Sequence, residues 1–345
     1  MIYPPKPRPG DKVGIVSPSA GLAGRFPAAY ELGLRRLSDE LSLIPVEYPT
    51  TRAVGATPQQ RAADLHRAFS DPSTTAVLAV IGGDDQIRVL PHLSAEVLRA
   101  HPKPFFGYSD NTNLLAYLWN AGVVGYHGGS VLAHLARPGR THPVTMESLR
   151  AALFTHDWYE LPQPEEFADE PGCDWSDPAT LDREPPVRPA PAWTWDRPDR
   201  IVEGPTWGGN LEILSWLLQV DRWVRPVREY AGAVLLLETS EEMPPAIEVY
   251  RMLRNMGERG LLEQFPAILV GRAKAWDRAQ PLDLPAREEY RTAQREAVRR
   301  AVAEYHPDAL VVFDVDFGHT DPQLIVPYGG TVRVDGPARR ITVRY

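Results

Sequence analysis

Three short patches, each placed where an apolar run ends, hold residue types that together perform acyl-transfer chemistry. Phe106-Gly107-Tyr108-Ser109-Asp110-Asn111 offers a hydroxyl, Leu235-Leu236-Leu237-Glu238-Thr239-Ser240 a carboxylate, and Asp316-Phe317-Gly318-His319-Thr320 an imidazole. A serine becomes a nucleophile near neutral pH only with a base beside it, and the base needs a third group to fix its tautomer and orientation. Ser109, His319 and Glu238 fit those three parts. Each also has a plainer reading. Ser109 fits a helix cap, Glu238 a surface strand end and His319 a structural histidine, while Asp314 and Asp316 are local alternatives for the acid. Glu241 and Glu242 read as solvated loop charges.

Two glycine pairs accompany these patches. Ile81-Gly82-Gly83-Asp84-Asp85 ends another apolar run, where paired glycines let backbone approach a ligand closely. Their N–H groups, with those following Ser109 at a helix start, suit an oxyanion. A tight turn is the plainer alternative, and no P-loop spacing follows. Trp207-Gly208-Gly209-Asn210 opens the apolar stretch Leu211–Leu218, so Gly209 and Asn210 offer an anion-friendly helix N-terminus for a substrate carboxylate. Close backbone packing explains the same glycines. The Gly-Tyr-Ser-Asp-Asn sequence lacks the second glycine of the esterase elbow, which disfavours an ordinary lipase or esterase.

Positioning these parts is the work of strands alternating with helices. Lys12–Ser17, Leu43–Tyr48, Val77–Ile81, Phe105–Tyr108 and Val123–Gly125 read as short buried strands. Ala28–Leu37, Pro58–Phe69, Gln86–His92 and Asn111–Asn120 read as the helices between them. Thr57-Pro58 supplies a cap and a first-turn proline, and Ala62, Leu65, Ala68 and Phe69 recur at helical spacing. The pattern predicts an α/β fold, a doubly wound and mostly parallel sheet with ligands beyond the strand C-termini. Residues 157–200 change character, with nine prolines and many acids, and with Trp175, Trp193 and Trp195 among them. They read as linker and lid together, the tryptophans touching substrate. From Ile201 a second α/β pattern begins. Strands Ala233–Leu237, Ala267–Val270, Leu310–Asp314 and Ile341–Tyr345 alternate with helices near Leu211–Leu218, Ala246–Asn255 and Glu288–Tyr305. The division predicted is 1–156 for the nucleophile, 157–200 for the loop and 201–345 for acid and base, with a cleft between the outer two.

Composition narrows the classes further. The chain has 345 residues, 43% hydrophobic and 24% charged, with a net charge of −8, which leaves no basic footprint for nucleic acid. Apolar runs are strand length, well short of the roughly 20 residues of a membrane span. Met1–Pro7 carries no leader pattern, and the single cysteine, Cys173, permits no internal disulfide, so the expected location is the cytoplasm. The histidines show no His-Glu-x-x-His spacing, so neither metal nor cofactor is expected.

Taken together and in order, Gly82-Gly83, Gly107-Tyr108-Ser109-Asp110, Glu203-Gly204 with Gly208-Gly209-Asn210-Leu211, Leu236-Leu237-Glu238 and Gly318-His319 resemble the serine L,D-carboxypeptidase family, in particular its microcin-immunity branch. The resemblance runs along nearly the whole chain. It implies Ser109 as nucleophile, His319 as general base, Glu238 as orienting acid, and an oxyanion hole from the backbone at Gly83 and Asp110. It implies an N-terminal domain like that of class I glutamine amidotransferases, a smaller α/β C-terminal domain and a homodimer. Two activities are implied: cleavage of the amide in a peptidyl or aminoacyl nucleotide, or removal of terminal D-alanine from murein tetrapeptide. The tryptophan-bearing loop resembles the immunity branch, where aromatics stack on the nucleobase. Trp175, Trp193, Trp195, Trp207, Gly209 and Asn210 are the expected substrate contacts. Four residues beyond the acid, where that branch implies a lysine, stands Glu242. A different class remains open: a binding protein that sequesters a peptide or nucleotide without turnover.

Overall fold

Short apolar runs bounded by turn residues form the strands of two sheets in the computed structural model, which describes residues 1–345. The first sheet has six strands in the order Val326–Tyr328, Gly125–His127, Phe105–Gly107, Thr74–Ala79, Lys12–Val16, Ile44–Glu47. Five are parallel, and the edge strand Val326–Tyr328 runs antiparallel after returning from the far end of the chain. Side chains alternate between the faces, as strand geometry requires. Ala76, Leu78 and Val80 join one apolar cluster with Tyr30, Leu34 and Leu37 of helix Pro27–Leu41. Val77 and Ala79 join another with Leu65 and Phe69 of helix Pro58–Ser70. That second helix starts where Thr57 and Gln60 form a reciprocal capping box, with Pro58 in the first turn.

The second sheet has eight strands in the order Trp158–Glu160, Arg340–Arg344, Thr331–Asp335, Ile201–Asn210, Val234–Glu238, Ala267–Gly271, Leu310–Val315, Thr194–Asp196. Its centre is parallel and its outer pairs are antiparallel. Leu235 and Leu237 face the cluster containing Val77, whereas Val234 and Leu236 face the one containing Leu78. Both apolar clusters therefore run continuously through the two sheets.

Several sequence expectations need correction. The strand expected at Val123–Gly125 forms at Gly125–His127, and the helix expected over Gln86–His92 is two single 3₁₀ turns, Gln86–Arg88 and Leu90–His92. Pro91 in the second turn has no N–H to continue a helix. Strands Val326–Tyr328 and Thr331–Asp335 were not anticipated, because they are short and separated only by Gly329-Gly330. Residues 157–200, expected as linker and lid, also contribute strands: Trp158–Glu160 and Thr194–Asp196 form opposite edges of the second sheet. Between them, Ala168 exchanges backbone hydrogen bonds of 2.7 and 3.0 Å with Asp321, two residues past His319.

Candidate active site

Ser109 sits where strand Phe105–Gly107 breaks toward helix Thr112–Ala121, with a left-handed φ of 61°. Such a backbone is costly for a residue with a Cβ, on the order of 1–3 kcal/mol, and persists only where its surroundings hold it. Here they do. Asp110, fully buried, accepts hydrogen bonds from the Ser19 hydroxyl, from Gln86 N–H at 2.9 Å and from Asn113 Nδ2 at 2.8 Å. Asn111 Nδ2 donates to Ile81 O at 3.2 Å while its Oδ1 accepts from Gln86 Nε2 at 2.8 Å. The serine turn is thereby fastened to the Gly82-Gly83 loop. A Cβ on Gly82 would lie 2.9 Å from Ser109 Cβ and 3.3 Å from Asp110 N, so only glycine admits this approach. On Gly83 it would lie 3.0 Å from Ala20 N.

Glu238 ends the fully buried strand Val234–Glu238 and is itself 2% exposed. Its Oε2 accepts from His319 Nδ1 at 2.5 Å, and its Oε1 has no partner within the protein. Asp314 and Asp316 are both committed elsewhere. Asp314 lies 3.2 Å from Arg295, and Asp316 accepts from Arg272 Nε at 2.8 Å and Trp193 Nε1 at 2.9 Å. His319 packs on Tyr108 with ring centres 4.9 Å apart, directly before the serine.

The other imidazole nitrogen, Nε2, is 3.3 Å from Glu241 Oε2, so Glu241 and not the Ser109 hydroxyl engages it. Glu241 is therefore no idle loop charge, while Glu242 is exposed and does not line the cavity. Burial alone would lower the His319 pKa, but Glu238, followed by Glu241, outweighs it and raises the value to about 9. At the neighbouring His127 and His134 burial outweighs the pull of Glu238 and Asp321 respectively and pushes the values down to about 4. Desolvation works against a charged Glu241, yet His319 and Lys274 more than offset it and lower its pKa.

Gly82, Gly83, Tyr108, Ser109, Glu241 and His319 line one cavity of about 460 Å³ between the C-terminal ends of both sheets. That volume falls within the range of small-molecule sites, roughly 300–1,000 Å³. Trp175 from the 157–200 segment lines it too, with its ring centre 5.7 Å from Phe26. The remaining expected contacts do not reach this space. Trp193 and Trp195 are core anchors at 5% and 9% exposure, drawn inward by the edge strand Thr194–Asp196. Trp207 stacks on Phe265 at 5.9 Å. At Gly208 a Cβ would strike Leu236 O at 2.0 Å, and at Gly209 it would meet Thr112 Oγ1 at 2.8 Å. Close backbone packing is what these glycines serve, and Asn210 caps helix Leu211–Val220 through its side chain. Lys274, Trp276 and Arg137 also line the cavity, and sequence reasoning did not single them out. Lys274 and Trp276 follow the strand Ala267–Gly271, whose C-terminal position is the one signal that marks them.

Comparison with known proteins assigns this frame to a class, the two-domain α/β hydrolases of a peptidase family. Residues 13–128 match the LD-carboxypeptidase N-terminal domain and residues 203–334 the LD-carboxypeptidase C-terminal domain. The chain belongs to the LD-carboxypeptidase family, peptidase S66. It is 24% identical over 353 residues to the microcin C7 self-immunity protein MccF of Escherichia coli, covering 97% of this chain and 93% of that one. Identity to the murein tetrapeptide carboxypeptidase of Pseudomonas aeruginosa is 26% over 337 residues, covering 94% and 93%. An MccF-like protein from Streptococcus pneumoniae, solved in complex with AMP, superimposes with a TM-score of 0.83 at 26% identity, covering 97% and 99%.

Proposed function

We propose that the protein hydrolyses an amide bond by serine catalysis, with Ser109 as nucleophile, His319 as general base and Glu238 as the acid that orients the imidazole. The 2.5 Å bond between Glu238 and His319 Nδ1, facing the cavity that Ser109 also lines, carries this reading. Once substrate displaces Glu241 and His319 is neutral, Nε2 takes the Ser109 proton as Oγ bonds to the carbonyl carbon. Backbone N–H groups at Gly83 and Asp110 stabilise the oxyanion. The imidazolium then protonates the departing nitrogen as the C–N bond breaks, and water hydrolyses the resulting ester with the same base.

The substrate we infer is a peptidyl or aminoacyl nucleotide amide. Its support is the Trp175–Phe26 wall, which suits a flat base, and the similarity to MccF. Removal of terminal D-alanine from murein tetrapeptide is the second reading, favoured by the similarity to the Pseudomonas enzyme. Turnover of an aminoacyl sulfamoyl nucleoside against murein tetrapeptide, followed by mass spectrometry, distinguishes them. Replacing Ser109 with alanine is expected to lower kcat by roughly 10⁴-fold or more on the preferred substrate. A folded Ser109→Ala protein that keeps near-full turnover sinks the assignment. Absence of Ser109 labelling by an active-site phosphonate, with ligand binding intact, would instead indicate a sequestering protein.

A further inference from the structure

We propose that Lys274 is the specificity residue for a free carboxylate on the substrate, placed within one residue of the bond that is cut, and that Glu241 occupies its field until substrate arrives. This rests on the cavity being the substrate site, as proposed above.

The argument starts from charge pairing. The cationic groups at the cavity are Arg137, Arg278, His319 and Lys274, since burial pushes His134 down to about 4 and keeps it neutral. Arg137 is tied to Asp321 at 2.7 Å, Arg278 to Asp174 at 2.6 Å and His319 to Glu238 and Glu241. Lys274 alone among them has no ion pair; its Nζ only donates a long 3.4 Å hydrogen bond to His319 O. An ammonium half-withdrawn from water without a counter-ion is costly, and an anionic ligand relieves that cost.

The position selects the kind of anion. Lys274 touches the main chain of His319 itself, so an anion on Nζ lies beside the imidazole that faces the scissile amide. In a peptide with a free C-terminus, the α-carboxylate is two bonds from the scissile nitrogen. In an aspartyl or glutamyl amide, the side-chain carboxylate is similarly near the carbonyl carbon. Both sources present one chemistry, a monovalent carboxylate adjacent to the reacting bond. Glu241 already puts such a group there, 3.3 Å from Nε2 and within the field of Lys274. Its side chain is 53% exposed on a loop, free to swing out when a substrate carboxylate takes its place.

Calorimetric binding to the Ser109→Ala protein, where no turnover interferes, tests this with two matched pairs. One pair is murein tetrapeptide and its C-terminal carboxamide; the other is aspartyl and asparaginyl sulfamoyl adenosine. In at least one pair the acid is expected to bind about tenfold or more tighter than its neutral partner. Which pair does so identifies the carboxylate's source. Adding Lys274→Met should abolish the preference, Lys274→Gln should do the same, and Glu241→Gln should strengthen it. Equal binding of acid and neutral ligands in both pairs, a preference that survives both lysine variants, or no binding of any of the four overturns the proposal. Phosphonate labelling of Ser109 in the otherwise unaltered protein reports separately on the serine reading. An acid preference without labelling spares Lys274 and rejects the nucleophile, and labelling without a preference does the reverse.

Discussion

An imidazole between two carboxylates is a poor base until one of them leaves. His319 has Glu238 on Nδ1 at 2.5 Å and Glu241 near Nε2 at 3.3 Å, with Lys274, Tyr108, His127 and His134 as its other titratable neighbours. With its pKa raised to about 9, the free site at pH 7 holds mostly imidazolium. A general base must be neutral, so kcat/KM should climb as pH rises toward that value. Glu241→Gln removes one of the two raising charges, and the acid limb of the profile should therefore move to lower pH while Glu238 still orients the ring. An unmoved limb in this variant would mean that Glu241 leaves His319 unperturbed in solution. At this scale the sequence made the placement of Ser109, Glu238 and His319 legible, because each ends or follows an apolar strand. It was silent on Glu241 against Glu242, since adjacent loop acids look alike until the chain's turn decides which one faces inward. Lys274 carried only its place after the strand Ala267–Gly271, since a lone lysine says little more until its neighbours' charges are known to be paired.

Elements, more than composition, decide what the tryptophans do. Residues 157–200 look like a polar strap because prolines and acids hide their two edge strands of three residues each, Trp158–Glu160 and Thr194–Asp196. Pairing of Thr194–Asp196 with Leu310–Val315 turns Trp193 and Trp195 toward the core, where Trp193 Nε1 donates to Asp316 at 2.9 Å. Parallel strands with continuous apolar runs were legible from periodicity and turn residues, whereas short antiparallel edges depend on partners more than 100 residues away. Trp193→Phe leaves a buried acceptor one donor short beside Arg272, at a cost of about 1–3 kcal/mol. Denaturant midpoints should fall accordingly, while KM for the preferred substrate stays unchanged. A raised KM with unaltered stability would restore Trp193 as a ligand contact.

For the molecule as a whole, the two sheets share their interior. Each apolar cluster includes strand residues from both: Leu78 with Leu236 in one, and Val77 with Leu235 in the other. The chain also crosses over physically. Val326–Tyr328 pairs with Gly125–His127 as the edge of the first sheet, and Asn210 N–H donates to Thr112 Oγ1 at 3.1 Å beside the helix that follows Ser109. Removing either half would strip apolar surface from the other and bare a strand edge, which is both unstable and prone to aggregate. The boundaries near residues 156 and 201 therefore mark sequence blocks whose unfolding should be coupled. Scanning calorimetry is expected to give one transition, with calorimetric and van't Hoff enthalpies in agreement. A fragment ending at residue 156 should fail to fold, because it lacks the strand that covers Gly125–His127. Two separated transitions, or a soluble cooperative fragment, would show that the halves hold themselves together independently. The site would then depend on how two autonomous bodies happen to dock, since Ser109 comes from one and Glu238 and His319 from the other. A single transition makes the cavity's geometry a property of the common core, and a saturating ligand at 100 times its Kd should then stabilise that whole transition by about 2.7 kcal/mol.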